Sequence, residues 1–213
     1  MASPRQTNNQ TRTLLLIAGI VAVVAIVGVI VAVEPYRPVS VSGQPLPEFG
    51  EEVRTGAVDD PAIGQPVPVV SGTDYQGDPI AIDPAADGPT MIVLLAHWCP
   101  HCNAEIPRLN EWRDSGEIPD GVDIVGVSTG VSPDAPNFPP DQWLVDKDWQ
   151  WPVLADDEAG TAMASYGGTS YPTMVLVDGN GDVFRRLSGE VPIDELAPLV
   201  GQLAGASATQ TTR

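Results

Sequence analysis

The only two cysteines of this 213-residue chain lie three positions apart, in the segment Cys99-Pro100-His101-Cys102. An apolar run ends just before them and a helical pattern follows, which predicts Cys99 at the amino end of a helix and Cys102 one turn further along. At that spacing the two sulfur atoms can form and break a disulfide bond. Unpaired backbone N–H groups and the helix dipole favour the thiolate of Cys99 as the nucleophile, and the shielded Cys102 is suited to resolving a mixed disulfide.

A static disulfide that staples the strand to the helix is the alternative for this pair. A bond between positions so close in the sequence closes a very short loop, and the stabilisation from a disulfide falls as its loop shortens. We therefore expect a redox-active disulfide between Cys99 and Cys102, which needs no organic cofactor.

The elements that must hold this pair follow from the pattern along the chain. Short β-rich runs alternate with helical stretches, and Asp178-Gly179-Asn180-Gly181-Asp182 is typical of a hairpin turn. Strands separated by helices and followed by a hairpin and a helix predict an α/β sandwich of three layers, a mixed central sheet with helices on both faces. The predicted strands are 67–70, 79–82, 91–96, 122–128, 173–177 and 183–187, with an apolar segment at 151–154, and the predicted helices follow the cysteines and cover 142–148, 158–166 and 193–203.

An apolar segment near the amino end predicts a membrane anchor. Residues 14–33 form an uninterrupted apolar run of twenty residues, and a helix of that length spans about 30 Å, the hydrocarbon thickness of a bilayer. Arg5 and Arg12 precede the run and every acidic residue follows it, so the positive-inside bias places residues 1–13 in the cytoplasm and the rest outside. A cleaved signal peptide competes, but its apolar region is usually about 7 to 15 residues long and ends in a small-x-small site, which this run matches poorly.

The rest of the chain divides by composition. Residues 34–66 contain six prolines and four glycines without an apolar period, which predicts an extended tether. The folded domain is expected over 67–204, and residues 205–213 form a flexible polar tail. Hydrophobic residues make up 43% of the chain, enough for one sizeable core.

The charge balance excludes one class of partner. The chain has 28 acidic and 10 basic residues, a net charge of −18, and no basic stripe follows the anchor. A protein of this charge repels a phosphate backbone, so nucleic-acid binding is excluded.

The segment 94–107, LLAHWCPHCNAEIP, resembles the thioredoxin superfamily, and more closely its membrane-tethered thiol:disulfide oxidoreductases of the TlpA/ResA type. That family has an apolar strand, W-C-x-x-C and then E-x-P in the helix. The resemblance covers about residues 67–203 and includes Tyr171-Pro172-Thr173, which looks like the family's cis-proline loop. It implies a thioredoxin-like fold, protein thiols and disulfides as substrates, and a membrane redox partner that resets the pair.

The resemblance also implies roles for residues around the cysteines. The acid that matches Glu105 lies near the thiols in this family and takes part in their proton transfers, whereas a solvated surface carboxylate is the alternative here. Pro172, if its peptide bond is cis, would face the disulfide. The Tyr171 backbone would then offer hydrogen bonds to an extended substrate while its ring covers the site. Trp98 would serve partly in packing and partly as substrate surface.

The two residues between the cysteines set the redox poise. His101 can hydrogen-bond or, when charged, stabilise the Cys99 thiolate, which makes the disulfide easier to reduce. Pro100 and His101 form the C-P-H-C motif of strongly oxidising periplasmic thiol oxidases, but E-x-P resembles the reductive branch. The direction of electron flow therefore stays open. Similarity suggests either a reductase for apocytochrome c that is fed by a transmembrane electron carrier, or a folding oxidase that is recharged by a quinone-linked oxidase.

Two other functions are weaker. His97, Cys99, His101 and Cys102 are potential copper or zinc ligands, so a metallochaperone is the rival interpretation. Adjacent ligands on one turn cannot easily surround an ion, and the chain has no third histidine to match the distant ligand of the metallochaperones in this superfamily. A peroxidase is weaker still, because the P-x-x-x-T-x-x-C arrangement of peroxiredoxins is missing. The prediction is thus a single-pass, extracytoplasmic thiol:disulfide oxidoreductase.

Overall fold

The computed structural model describes residues 38–49 and 59–210. The predicted cytoplasmic residues 1–13 and the predicted anchor 14–33 lie outside this part of the chain. Within it, no helix combines the length and apolar character needed to cross a membrane. Residues 38–49 and 59–66 are called the amino-terminal segment below.

One mixed sheet of eight strands organises the described residues, in the order β1-β2-β6-β5-β4-β7-β8 with β3 paired to β2. Strands β4, β5 and β6 run parallel, and the other neighbouring pairs are antiparallel. The strands are β1 (Ser40–Ser42), β2 (Val69–Thr73), β3 (Pro79–Ile82), β4 (Thr90–Leu95), β5 (Asp123–Ser128), β6 (Val153–Ala155), β7 (Thr173–Val177) and β8 (Val183–Ser188). The helices are α1 (Pro84–Asp87), α2 (Pro100–Ser115), α3 (Pro140–Asp146), α4 (Thr161–Ser165) and α5 (Ile193–Gln210).

Strand β4 lies in the middle of the sheet and is buried along its whole length. Because side chains alternate across a strand, each face of the sheet receives every second residue. Met91, Val93 and Leu95 pack in a cluster with residues of α2, α3 and α5, while Ile92 and Leu94 pack with residues of α4 and the amino-terminal segment. The predicted mixed sheet with helices on both faces is therefore confirmed.

Residues 38–49 and 59–66 correct the predicted tether where the structure describes it, and residues 34–37 and 50–58 of that prediction lie outside the described part. Strand β1 pairs with β2, Leu46 and Phe49 are buried, and the carboxylate of Asp60 receives two hydrogen bonds from Arg186 of β8, at 2.6 and 2.8 Å. The segment has no apolar period because it is fixed by single side chains whose partners lie far along the chain. Asp60 and Arg186 are separated by 126 positions, so no local pattern indicates their pairing.

The other predicted elements are largely confirmed. All six predicted strands are present, with ends that differ by at most three residues, and a turn joins β7 to β8 as predicted. Helix α1 was not predicted. Helix α5 continues to Gln210, which corrects the flexible tail predicted over 205–213 as far as residue 210, since the small residues that follow Leu203 include alanines that favour a helix. Residues 211–213 lie outside the described part.

Candidate functional site

Cys99 lies at the junction between β4 and α2, as the residue that caps the helix. Its backbone is extended, with φ −74° and ψ 121°, and its sulfur accepts a hydrogen bond from the backbone N–H of Cys102 at 3.4 Å. Pro100 occupies the first turn of α2, where the missing N–H of proline leaves no hydrogen bond unmade. Both cysteines are free thiols. The amino terminus of α2 therefore places the backbone N–H of Cys102 against the Cys99 sulfur.

Cys102 is the more deeply buried of the two thiols. Cys99 is 4% exposed and Cys102 is 0% exposed. Burial raises the pKa of Cys102, and the negative charges of Cys99 and Glu105 raise it further. Cys102 is therefore a protonated thiol at neutral pH, and it needs a proton acceptor before its sulfur can attack another sulfur atom.

Glu105 lies one helical turn beyond Cys102 and is fully buried. Its Oε2 atom accepts hydrogen bonds from Arg108 Nη1 at 2.8 Å and from the backbone N–H of Val191 at 3.2 Å. Its Oε1 atom is buried and has no hydrogen-bond partner among the described residues. Burial raises the pKa of Glu105, and the bonds from Arg108 and Val191 only partly offset this effect. The alternative of a solvated surface carboxylate is wrong.

The ring of His101 contacts a carboxylate away from the cysteines. Its Nδ1 atom lies 2.8 Å from Oε1 of Glu190, in the loop between β8 and α5. The other carboxylate oxygen of Glu190 contacts Arg108, which itself binds Glu105. The sequence suggested a contact between His101 and the Cys99 thiolate, and the structure instead directs the ring to Glu190. Together, His101 and Arg108 lower the pKa of Glu190.

The loop before β7 covers the other side of Cys99. The Tyr171–Pro172 peptide bond is cis, as the resemblance implied, and the carbonyl oxygen of Tyr171 accepts a hydrogen bond from the Cys99 thiol at 3.4 Å. The Trp98 ring meets the Tyr171 ring edge to face at 5.4 Å between centroids, and its Nε1 donates to the Gly130 carbonyl at 2.7 Å. Burial raises the pKa of Tyr171. Trp98 stays 36% exposed, so it can contact a substrate.

The ring of His97 forms hydrogen bonds with the loop between β5 and α3 and so holds that loop beside the site. Its Nδ1 atom lies 2.7 Å from the carbonyl oxygen of Pro136, and its Nε2 atom lies 3.1 Å from the backbone N–H of Ser132. A carbonyl only accepts and a backbone N–H only donates, so Nδ1 carries the proton and Nε2 accepts. Both ring nitrogens of this buried, neutral histidine are therefore engaged.

The occupied ring of His97 bears on the metallochaperone interpretation. A metal ion needs a free nitrogen lone pair, and the lone pair of Nε2 is directed at Ser132. The ring of His101 faces Glu190 rather than the thiols. In the described part of the chain, no group of three or more His, Cys, Asp or Glu side chains is arranged to hold a metal ion.

The structure therefore groups the predicted site residues around α2 and the loop before β7, with His101 on the outer side. Sequence reasoning missed Arg108 and Glu190. Arg108 lies three positions after Glu105, a spacing that places both on one helix face, so it could have been found. Glu190 lies 82 positions from Arg108 in an irregular loop, where nothing in the local sequence indicates the contact.

The amino-acid sequence matches a known protein family. The model of the AhpC/TSA family matches residues 63–186, which include both cysteines and Pro172. The thiol:disulfide interchange protein DsbE of Haemophilus influenzae is 29% identical over 145 residues, 67% of this chain and 74% of that protein. The thiol-disulfide oxidoreductase ResA of Oceanobacillus iheyensis is 27% identical over 118 residues, 54% of this chain and 56% of that protein.

A solved structure shows the same fold. The thiol:disulfide interchange protein of the thioredoxin family from Chlorobium tepidum superposes with a TM-score of 0.55 at 23% identity, covering 67% of this chain and 97% of that one. The mixed sheet, the helix that follows the cysteines and the closing hairpin thus form a thioredoxin-like fold.

Proposed function

The chain belongs to the AhpC/TSA family and is a thiol:disulfide oxidoreductase of the DsbE and ResA type, and we propose that Cys99 and Cys102 are the pair that carries this activity. The observation that supports this assignment is the position of Cys99, which caps α2 with its sulfur against the N–H of Cys102 and the carbonyl of Tyr171. Protein thiols and disulfides are the substrates.

The exchange proceeds in two steps in the reducing direction. The Cys99 thiolate attacks one sulfur of a substrate disulfide, so that a bond from Cys99 to the substrate forms and the substrate disulfide breaks, releasing a thiolate that takes a proton. Cys102 then loses its proton and attacks the Cys99 sulfur. The Cys99–Cys102 bond forms, the mixed disulfide breaks, and the substrate leaves fully reduced. The oxidising direction runs these steps in reverse.

Glu105 is the proposed proton acceptor for Cys102. It lies one turn away on the same helix, it is excluded from water, and its Oε1 atom is left without a partner among the described residues. An unpartnered carboxylate oxygen next to a buried thiol can accept the proton that Cys102 must lose. Pro172 and Tyr171 position the substrate backbone, and the exposed part of Trp98 contacts the substrate beside Cys99.

The surroundings of the pair favour reduction of substrates. The charge of Glu105 disfavours a thiolate at Cys102, so no thiolate charge there stabilises the reduced pair, and this favours a low reduction potential. The ring of His101, which when protonated would act the other way, faces Glu190 instead of Cys99. We therefore favour a reductase of the type used in cytochrome c maturation over a folding oxidase, and its oxidised form would be reset by a membrane redox partner.

The proposed place of work is the outer face of a membrane, with residues 14–33 as the anchor. The twenty apolar residues of that run and the two arginines before it support this topology. The full chain should stay with membranes after a carbonate wash, whereas a chain lacking residues 1–37 should be released. Release of the full chain would contradict the anchor.

Redox titration against glutathione tests the function most sharply. A potential at or below about −270 mV supports a reductant, and one near about −120 mV an oxidant. Catalysed reduction of insulin should be abolished by Cys99→Ser. Turnover that persists in this variant would overturn the assignment of Cys99.

A further inference from the structure

Four ionisable side chains form a connected group that we call the charge cluster: Glu105, Arg108, Glu190 and His101. Arg108 Nη1 lies 2.8 Å from Oε2 of Glu105, and Arg108 Nη2 contacts Oε2 of Glu190. His101 Nδ1 lies 2.8 Å from Oε1 of Glu190. Arg108 thus bridges two carboxylates, and Glu190 contacts both Arg108 and the ring of His101.

The four side chains of the charge cluster differ in how far they are exposed to solvent. The side chain of Glu105 is 0% exposed, whereas those of Glu190, Arg108 and His101 are 32%, 38% and 64% exposed. Ion pairs at the surface are weak because water screens them, but a buried carboxylate requires a cation or several hydrogen bonds to remain ionised. The member whose charge depends most on the others is therefore Glu105, which has one cation and one backbone N–H as partners among the described residues.

We propose that Arg108 is a positioning residue that keeps Glu105 ionised one turn from Cys102, and that Glu190 and His101 adjust the strength of this contact. The inference rests on the proposed function, because it concerns the residue that accepts the Cys102 proton. His101 then acts on the redox pair through Glu190 and Arg108 rather than through Cys99.

The groups that act on Glu105 are few in the described residues. On its own helix they are Arg108, Cys102 and, by way of Glu190, His101; from the loop before α5 the group is Glu190. Helix α5 adds two acids in its first turn, Asp194 and Glu195. The neighbouring strands β4 and β7 contribute only apolar residues and threonine. Arg108 is thus the one cation that these elements direct at Glu105.

Substitutions of the different members of the charge cluster should shift the titration of Glu105 in opposite directions. Removing Arg108 leaves the buried carboxylate without its cation, so Glu105 should hold its proton to higher pH. Removing the charge of Glu190 ends the competition for Arg108 and the repulsion between two carboxylates, so Glu105 should lose its proton at lower pH. Removing His101, which neutralises Glu190 when protonated, should act weakly in the same direction as removing Arg108.

Titration of Glu105 by ¹³C NMR tests the proposal directly. The full chain, carrying glutamate labelled at the side-chain carboxyl carbon and kept in detergent micelles, is titrated with and without Glu105→Gln to assign the signal. Arg108→Gln should move the titration midpoint upward, and Arg108→Lys, which keeps the charge, should move it less. At a pH below the midpoint, a tenfold smaller ionised fraction of Glu105 should slow Cys102-dependent resolution about tenfold.

Arg113→Gln is the matched control. Arg113 lies on the same helix but pairs with Asp114 and Asp148, so this variant should leave the Glu105 midpoint in place. If Arg108→Gln fails to fold, Arg108→Lys still shows in which direction the titration midpoint of Glu105 moves. An unchanged midpoint in the folded Arg108 variants would overturn the proposal.

A double-mutant cycle tests the route from His101. Glu190→Gln should lower the midpoint, His101→Gln should raise it, and in the Glu190→Gln background the His101 substitution should have no further effect. A His101 effect of equal size in both backgrounds would overturn the route through Glu190. The outcome is independent of the proposed function, because Glu105 titrates whether or not Cys99→Ser abolishes turnover.

Discussion

Two buried carboxylates on opposite faces of the sheet are each paired with one arginine, and they differ in how completely they are satisfied. Both oxygens of Asp60 accept hydrogen bonds from Arg186, and one of them also accepts from the Ala62 N–H. Arg186 is fully buried and donates in addition to the Pro47 carbonyl. Glu105, in contrast, has one oxygen without a partner in the described part of the chain, and its arginine is shared with a second carboxylate.

The difference shows in the direction of each proton equilibrium. Burial acts to raise the pKa of Asp60, but the hydrogen bonds and charge of Arg186 outweigh it and the pKa is lowered. For Glu105 burial prevails and the pKa is raised. A fully satisfied carboxylate serves the fold, here by fastening the amino-terminal segment to β8, whereas a partly satisfied one is available for proton transfer.

Asp60→Ala should have the largest effect on stability. It leaves the buried guanidinium of Arg186 without a counter-charge, which costs about 3–5 kcal/mol. Urea unfolding at neutral pH measures the loss. Asp148→Ala, which breaks an exposed ion pair with Arg113, is the control and should change stability little. Equal losses in both variants would remove the distinction between buried and exposed pairs.

Glu105→Gln should separate activity from stability. Resolution by Cys102 should slow about 100-fold, since general base catalysis contributes at least that factor. The free energy of unfolding at neutral pH should stay unchanged or rise by up to about 2 kcal/mol, because a buried and partly unpaired charge is removed. Stopped-flow kinetics and urea unfolding of one preparation give both values. A large loss of stability with unchanged kinetics would place Glu105 with Asp60 as a structural residue.

Gly167 packs against the amino-terminal segment and Gly130 against the redox site, and neither position has room for a Cβ atom. A Cβ at Gly167, where φ is +68°, would lie 2.2 Å from the carbonyl oxygen of Pro47 in the amino-terminal segment. At Gly130, where φ is +60°, it would lie 2.7 Å from the Tyr171 hydroxyl. Gly167→Ala should therefore cost about 2–3 kcal/mol because backbone must move, and Gly130→Ala about 1 kcal/mol, since a side chain can yield.

The two glycine variants should rank in the reverse order when the rate of insulin reduction is measured instead of stability. Gly130→Ala displaces the Tyr171 ring beside Cys99 and should slow insulin reduction, whereas Gly167→Ala should leave the rate of the folded fraction unchanged. Thermal unfolding and initial rates measure the two properties. A Gly130 variant with full activity would show that the position of the Tyr171 ring is unimportant.

The pH dependence of stability should have opposite slopes for the two carboxylates. The lowered pKa of Asp60 contributes stability that is present above the unfolded pKa and is lost as pH falls through the folded pKa. The raised pKa of Glu105 produces a loss of stability as pH rises from the unfolded to the folded pKa. Asp60→Asn should therefore flatten the acid side of the stability curve, and Glu105→Gln should flatten the decline above it. If the two variants gave stability curves of the same shape as the unsubstituted protein, the directions assigned to the two pKa shifts would be contradicted.

Much of the fold could be predicted because its central elements carry local signals. Strands β4 and β7 are continuous apolar runs, and the turn before β8 has the glycine and asparagine that a hairpin requires. Strand β1 has three residues, too few for a period to show. The pairing of Asp60 with Arg186 joins positions that only the finished sheet brings together, so the tether prediction failed there.

The site could be predicted as far as it lies on one helix or matches a motif. Cys99 and Cys102 follow from their spacing, and the position of Pro172 beside Cys99 follows from the resemblance. The orientation of His101 could not be derived, because it depends on Glu190 in a distant loop. The surroundings of Glu105 could not be derived either, because the backbone N–H of Val191 that binds it lies 86 positions further along the chain.

Trapping of a mixed disulfide shows which of the two sulfurs attacks the substrate. A Cys102→Ser variant that is treated with a peptide disulfide and analysed by mass spectrometry should carry one peptide, attached through Cys99, whereas Cys99→Ser should carry almost none because Cys102 is buried and protonated. Adducts that form on Cys102 as readily as on Cys99, or on neither, would contradict the account.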